Sequence, residues 1–219
     1  MKNFDESFIN SSKADMEKIG GHISDLMWSR KMYTDFNEII KNNPKIDTPN
    51  AFYDFVKIGY VSDIVLSICR QIDKDERALS LMNLLKRIFN GSEKITKEWF
   101  SDQYKDTVLN EEFGEAAFKE HFGDMDFIDP SIVSADIGSL IFYTKEIKKY
   151  RNKRIAHFEN GKVVFDKDFN FDTFNKAIEV IDVIAKKYYL LLFQKGYGTF
   201  EPTDHTRYQS IFYEPWIIK

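Results

Sequence analysis

Lys148-Lys149-Tyr150-Arg151-Asn152-Lys153-Arg154-Ile155-Ala156-His157 is the stretch on which the reading of this chain turns. From Thr144 to His157, six basic side chains (Lys145, Lys148, Lys149, Arg151, Lys153, Arg154) stand against one acid, Glu146. The formal charge of the whole chain is −4, so this local excess of +5 leaves −9 for everything else. Cations set this close together act jointly on a polyanion, and phosphate is the first partner to consider. His157 closes the run with the side chain best poised to move protons near neutral pH. A phosphate-binding patch ending in a proton carrier points to chemistry on RNA.

Upstream of the run, Ile137, Leu140, Ile141 and Ile147 recur at helical spacing, with Ser134 as the expected N-cap and Asp136 in the first turn. Continuing that helix at about 100° per residue places Arg151 on the apolar stripe with Ile155. A guanidinium there needs a partner, either a buried carboxylate or a phosphate reached through a cleft or subunit interface. His157 falls about 120° around and about 9 Å along from Arg151, so one straight helix does not bring the two together. The reach of arginine, a bend near Tyr150, or a second copy on a two-fold axis would do so.

Further out, four segments carry helical periodicity. Ile19, Ile23, Leu26, Tyr33, Phe36 and Ile40 mark a first helix, with Arg30 the polar gap in its stripe. Arg30 reads as a side chain snorkelling from the edge or as an internal ion pair. A second helix is expected from Thr48 as cap and Pro49 as first residue, burying Ile58, Val61, Val65, Ile68 and Ile72. A short amphipathic piece at 81–85 stops near Asn90-Gly91, and a last helix opens at Asp172. Residues 91–130 scatter aromatics among acids and read as short helices packing onto the core. Residues 161–166 alternate weakly, as a brief extended arm would. The prediction is an all-α antiparallel bundle over 1–195, with an aromatic tail, 196–219, packing on the same domain or on a partner subunit.

Composition narrows the function classes. The chain has 219 residues, 20 of them Phe and 11 Tyr, which is too aromatic for a disordered chain. One cysteine, Cys69, excludes an internal disulfide and a cysteine zinc site, and fits a reducing cytoplasm. The first residues lack the apolar core of a signal peptide, and the run Tyr188–Phe193 falls far short of the roughly 20 apolar residues of a membrane span. His22, His121 and His205 show no metal-ligand spacing, so no metal and no cofactor is expected.

Arg151-Asn152-Lys153-Arg154-Ile155-Ala156-His157 resembles the R-N-x(4)-H form of the R-x(4–6)-H motif of the HEPN superfamily (higher eukaryotes and prokaryotes nucleotide-binding domains). The flanking Ile147–Tyr150 and Phe158-Glu159, with an upstream Arg70-Gln71-Ile72-Asp73 and the leucine-rich 79–85, resemble its AbiU-like branch, associated with abortive phage infection. The likeness spans roughly residues 15 to 193. It implies a helical bundle that dimerises with the motif at the interface, and often a metal-independent endoribonuclease. The arginine and histidine roles then fall to Arg151 and His157, and that of the polar neighbour to Asn152. Some HEPN toxins carry a modifiable tyrosine two residues past the histidine. This chain has Glu159 there, so control by that route is not expected.

RNA brings its own nucleophile, the 2′-OH, so proton transfer and charge stabilisation suffice for its cleavage. His157 would move the proton, Arg151 would meet the charge gathering on the phosphate, and Asn152 would orient His157 or bind the phosphate. Lys149, Lys153 and Arg154 would hold the RNA backbone without reading bases. The expected partners are RNA, a second copy of the chain, and an antitoxin or regulatory protein. Two readings compete with the enzyme: a non-catalytic module binding RNA, nucleotide or protein through the same groove, and a dimerisation scaffold whose arginine serves only an interface ion pair.

Overall fold

The computed structural model describes residues 5–156, 169–196, 198–200 and 207–213. Seven α-helices carry the fold: α1 Glu6–Lys41, α2 Ala51–Gln71, α3 Leu81–Asn90, α4 Lys97–Asp102, α5 Asn110–Phe122, α6 Pro130–Tyr150 and α7 Phe171–Phe193. The described residues are helical with no strand; a lone antiparallel bridge, Thr96 to Phe127, ties the start of α4 to the turn before α6. The expected arm at 161–166 and both His157 and His205 lie outside the described residues.

Ring contacts fix the helix directions. Tyr33 near the end of α1 stacks on Tyr60 of α2 and on Phe171 at the start of α7, while Lys13 lies over Phe193 at the other end. Tyr150 at the end of α6 stacks on Phe169 just before α7, and Asp136 near the start of α6 meets Lys187 and Tyr188 late in α7. Both pairs, α1 with α7 and α6 with α7, are therefore antiparallel. Met16, Ile19, Ile23 and Leu26 of α1 pack with Ile64, Val65 and Ile68 of α2 and Ile178, Ile181 and Tyr188 of α7 in one core. Each such apolar side chain contributes about 1.5–3 kcal/mol when fully buried.

Two helix starts differ from the sequence expectation, for one reason. At α2 the cap is Asn50, whose side chain accepts from Phe52 N–H at 2.8 Å, and Thr48 and Pro49 stay in the loop. At α6 the cap is Asp129, accepting from Ser131 N–H at 2.8 Å with Pro130 in the first turn; Ser134 sits a turn further in. In each case a stronger capping side chain stands close by and takes the end, since Asn and Asp outrank or match Thr and Ser. Gly123, at φ +99°, ends α5, and a Cβ there would lie 2.8 Å from Asp129 Cβ. Only glycine lets that turn deliver the α6 cap.

Two predicted core residues are instead exposed. Ile58 is 66% exposed because the first turns of α2 run past the core, which begins at Ile64; Ile141 is 43% exposed, rotated out of the seam made by Val133, Leu140 and Ile147. The region 91–130 folds as expected into short helices. There Phe100, Phe118 and Phe122 form a fully buried ring cluster, while Phe113 remains exposed.

The C-terminal stretch contacts α1 at two places. Phe200 is buried, its ring 3.2 Å from where a Cβ on Gly20 would stand. A 3₁₀ turn at Arg207–Tyr213 brings the Tyr208 hydroxyl and Gln209 amide onto Asp35, which Lys31 also binds. Burial alone would push the Asp35 carboxyl up. The hydrogen bonds from Lys31 and Tyr208 outweigh it and hold Asp35 below the usual carboxylate range. Arg30 is half-buried with its charge near Tyr60, whose hydroxyl burial pushes up to about 12.

Candidate functional site

The basic run begins on the last turns of α6, where Lys148 and Lys149 complement the helix dipole. At Arg151 the helix widens, and Arg151–Ala156 form a single π-helical turn. Such a turn inserts an extra residue into the ladder and is a frequent device at functional sites. It changes the phase of everything downstream, so a straight-helix projection no longer applies past Tyr150. The flanks explain where it is pinned: Tyr150 stacks on Phe169 at 5.4 Å, and Ile155 packs on the core.

Arg151 is half-buried and faces α2 rather than open solvent. Its Nε and Nη2 both donate to Asn152 Oδ1, at 3.0 and 2.8 Å. Among the described residues no carboxylate pairs with Arg151, so the buried ion pair considered from the sequence is not formed there. Asn152, expected to orient His157 or bind phosphate, has its carbonyl oxygen taken by the arginine. It fixes the fork in one orientation and leaves its charge uncompensated. Lys149 pairs with Glu146 at 3.4 Å, while Lys153 and Arg154 are half-buried on the turn.

Sequence reasoning missed what lies beneath this arginine. Cys69, buried near the end of α2, is raised in pKa chiefly by burial, with Arg151 and Lys148 opposing and Asp73 reinforcing the shift. The upstream Arg70–Asp73 and the downstream basic run therefore meet around one thiol. Asp73 also shapes the α2–α3 turn: its carboxylate accepts from Asp75 N–H at 3.0 Å and its backbone carbonyl from the Ser80 hydroxyl at 2.7 Å. Gln71 between them is fully buried with neither amide atom hydrogen-bonded among the described residues. No periodicity relates residue 73 to residue 151, so only the sequence resemblance had hinted at the pairing.

A helical bundle with this turn can be compared with known families. The HEPN_AbiU2 family model, described as AbiU2, matches residues 28–211. The chain belongs to the HEPN AbiU2 family. The AbiU2 match starts inside α1 and extends through most of the C-terminal 3₁₀ turn, further than the sequence resemblance had reached. The turn that closes on Asp35 is thus part of the AbiU2 unit. No curated protein and no solved structure matches the chain. Among the described residues, no helix is long and apolar enough to cross a membrane.

Proposed function

We propose that this AbiU2-family protein is a metal-independent endoribonuclease that acts as a toxin or defence effector in abortive infection. The observation that carries the reading is the state of Arg151: a guanidinium held in place by a neutral amide, in the most basic stretch of the chain. A structural cation in such a position is normally matched by an anion of its own protein. A cation fixed by a neutral group offers its remaining donors to an anion from outside, and a phosphate fits both the fork and the charge.

The chemistry follows from RNA itself. The 2′-OH attacks the adjacent phosphorus as the bond to the 5′-oxygen breaks, so the products are a 2′,3′-cyclic phosphate and a 5′-hydroxyl. His157 takes the 2′-OH proton or returns one to the leaving oxygen. Arg151 stabilises the charge on the non-bridging oxygens, and Asn152 keeps the fork aimed. Lys149, Lys153 and Arg154 hold the backbone.

In this reading the site is shared by two copies, Arg151 of one working with His157 of the other. Its support is the outward face of α2, next to the π-turn, where Phe55 is 72% exposed and Ile58 and Leu66 are also uncovered. Apolar area of that kind marks an interaction surface. An antitoxin or regulatory protein would act on the same groove. Mixed RNA incubated in EDTA with wild type and with His157→Ala tests the proposal. Cleavage by wild type alone, with cyclic phosphate ends, is expected; strict dependence on added Mg²⁺, or binding without any cleavage, overturns it.

A further inference from the structure

A second feature lies on the outward side of α6, away from the buried seam that leads to Arg151. A cleft of about 490 Å³ opens between the second half of α6 and the start of α7. Its walls are Phe142, Tyr143 and Phe169, with Lys145, Lys176 and Glu146 around them. The volume is in the range of small-ligand pockets. Phe142 is 62% exposed and Tyr143 40%, so these rings are not core residues, and they stand edge to face at 5.1 Å. Lys145 Nζ lies 5.4 Å from the Phe142 ring centre.

Charge in the cleft leaves the lysines available. Glu146 is bound by Lys149, and Asp172 sits in the first turn of α7, where the helix dipole favours it. The α7 N-terminus is closed by the Asn170–Thr173 capping box and is not itself an anion site here. Among the described residues, neither Lys145 nor Lys176 is in an ion pair. Phe142, Glu146, Lys149 and Lys153 follow each other at steps of four, three and four along the run. The cleft therefore leads towards the basic residues, with Lys145 about 9 Å along the axis from Arg151.

We propose that this cleft is a base-stacking subsite for single-stranded RNA, with a nucleobase on Phe142 and Tyr143 and the neighbouring phosphates on Lys145 and Lys176. Aromatic faces take any base, and ammonium groups take the backbone, so the subsite lengthens the RNA path without reading sequence. The subsite rests on the reading of Arg151 as a phosphate ligand: it positions the strand whose next phosphate reaches that guanidinium. An apolar protein segment would leave two ammonium groups desolvated at the rim, and RNA does not.

The test is fluorescence-anisotropy binding, in EDTA, of a non-cleavable 2′-O-methyl RNA of about eight nucleotides, within the site sizes of single-strand binders. A dinucleotide of the same chemistry is the short control. Phe142→Ala should raise the Kd of the longer strand about tenfold, as expected from the loss of one stacked base, and leave the dinucleotide and the melting temperature unchanged. Lys145→Gln with Lys176→Gln should flatten the salt dependence by roughly one unit of slope. Tight binding that neither variant alters overturns the subsite alone. No binding by wild type overturns both the subsite and the ribonuclease reading. Cleft-dependent binding by a protein that cleaves no RNA keeps the subsite and overturns the ribonuclease.

Discussion

The two ends of α6 handle charge in opposite ways. Near its start, Asp136 accepts from Lys187 Nζ at 2.7 Å and from the Tyr188 hydroxyl at 2.9 Å, an acid and a cation satisfied within the chain. Past its end, Arg151 is held by the amide of Asn152, and the cations around it outnumber the acids. The first arrangement closes a helix pair. The second fixes a charge in place without neutralising it. Basic residues are common to both ends, so what separates fold from function here is the partner each cation has.

Four perturbations break or sharpen that contrast. Arg151→Ala carries the largest expected effect: RNA cleavage falls about 10²–10³-fold, the cost of one lost charge-stabilising donor group, while the melting temperature hardly moves. Arg151→Lys should not restore it, because an ammonium lacks the fork. Asp136→Ala shows the reverse pattern. It strands Lys187 and the fully buried Tyr188, for a loss of about 2–4 kcal/mol and a melting point lower by roughly 5–10 °C, with cleavage per folded molecule unchanged. A drop in specific activity matching that of Arg151→Ala would erase the distinction between the two ends.

Asn152→Ala frees the fork and should cost about tenfold in cleavage, the worth of a hydrogen bond to a charged group. Asn152→Asp makes the far end of α6 resemble the near end: cleavage falls, and the salt dependence of RNA binding flattens by roughly one unit of slope. The smallest effect concerns the C-terminal turn. The Asp35 carboxyl is held below its ordinary range by Lys31 and Tyr208 against the opposing effect of burial. Its contribution is therefore complete above about pH 4 and is lost as pH falls through the depressed folded value. Trp28, edge-on to Tyr208 at 5.2 Å, reports the turn. Its fluorescence should change only below about pH 4, and a midpoint near pH 6 would show that another group holds the turn.

Much of this architecture is legible in the sequence, and the misreadings share a cause. Apolar steps of three and four residues locate α1, α2, α6 and α7, because packing demands them. The starts of α2 and α6 were misplaced where two capping residues compete, at Thr48 with Asn50 and at Ser134 with Asp129. Ile58 and Ile141 fit the periodicity but have nothing packed over them, since a repeat does not say how far a neighbouring helix extends. Asp136 was read as a dipole residue, yet its partner lies 51 residues away. The π-turn, and the meeting of Asp73 and Arg151 about Cys69, have no one-dimensional signature. Basic charge and a histidine mark the candidate site in sequence; the grip of Asn152 on Arg151 is visible only in three dimensions.

The central claim is that Arg151 and His157 of different copies make one cleaving site. Mixing purified Arg151→Ala and His157→Ala proteins, after dissociation and re-association, tests it directly. Each variant alone should be inactive in EDTA, while the mixture should regain about a quarter of the wild-type rate, since half the dimers are mixed and each holds one intact site. A mixture no more active than its components would contradict the shared site.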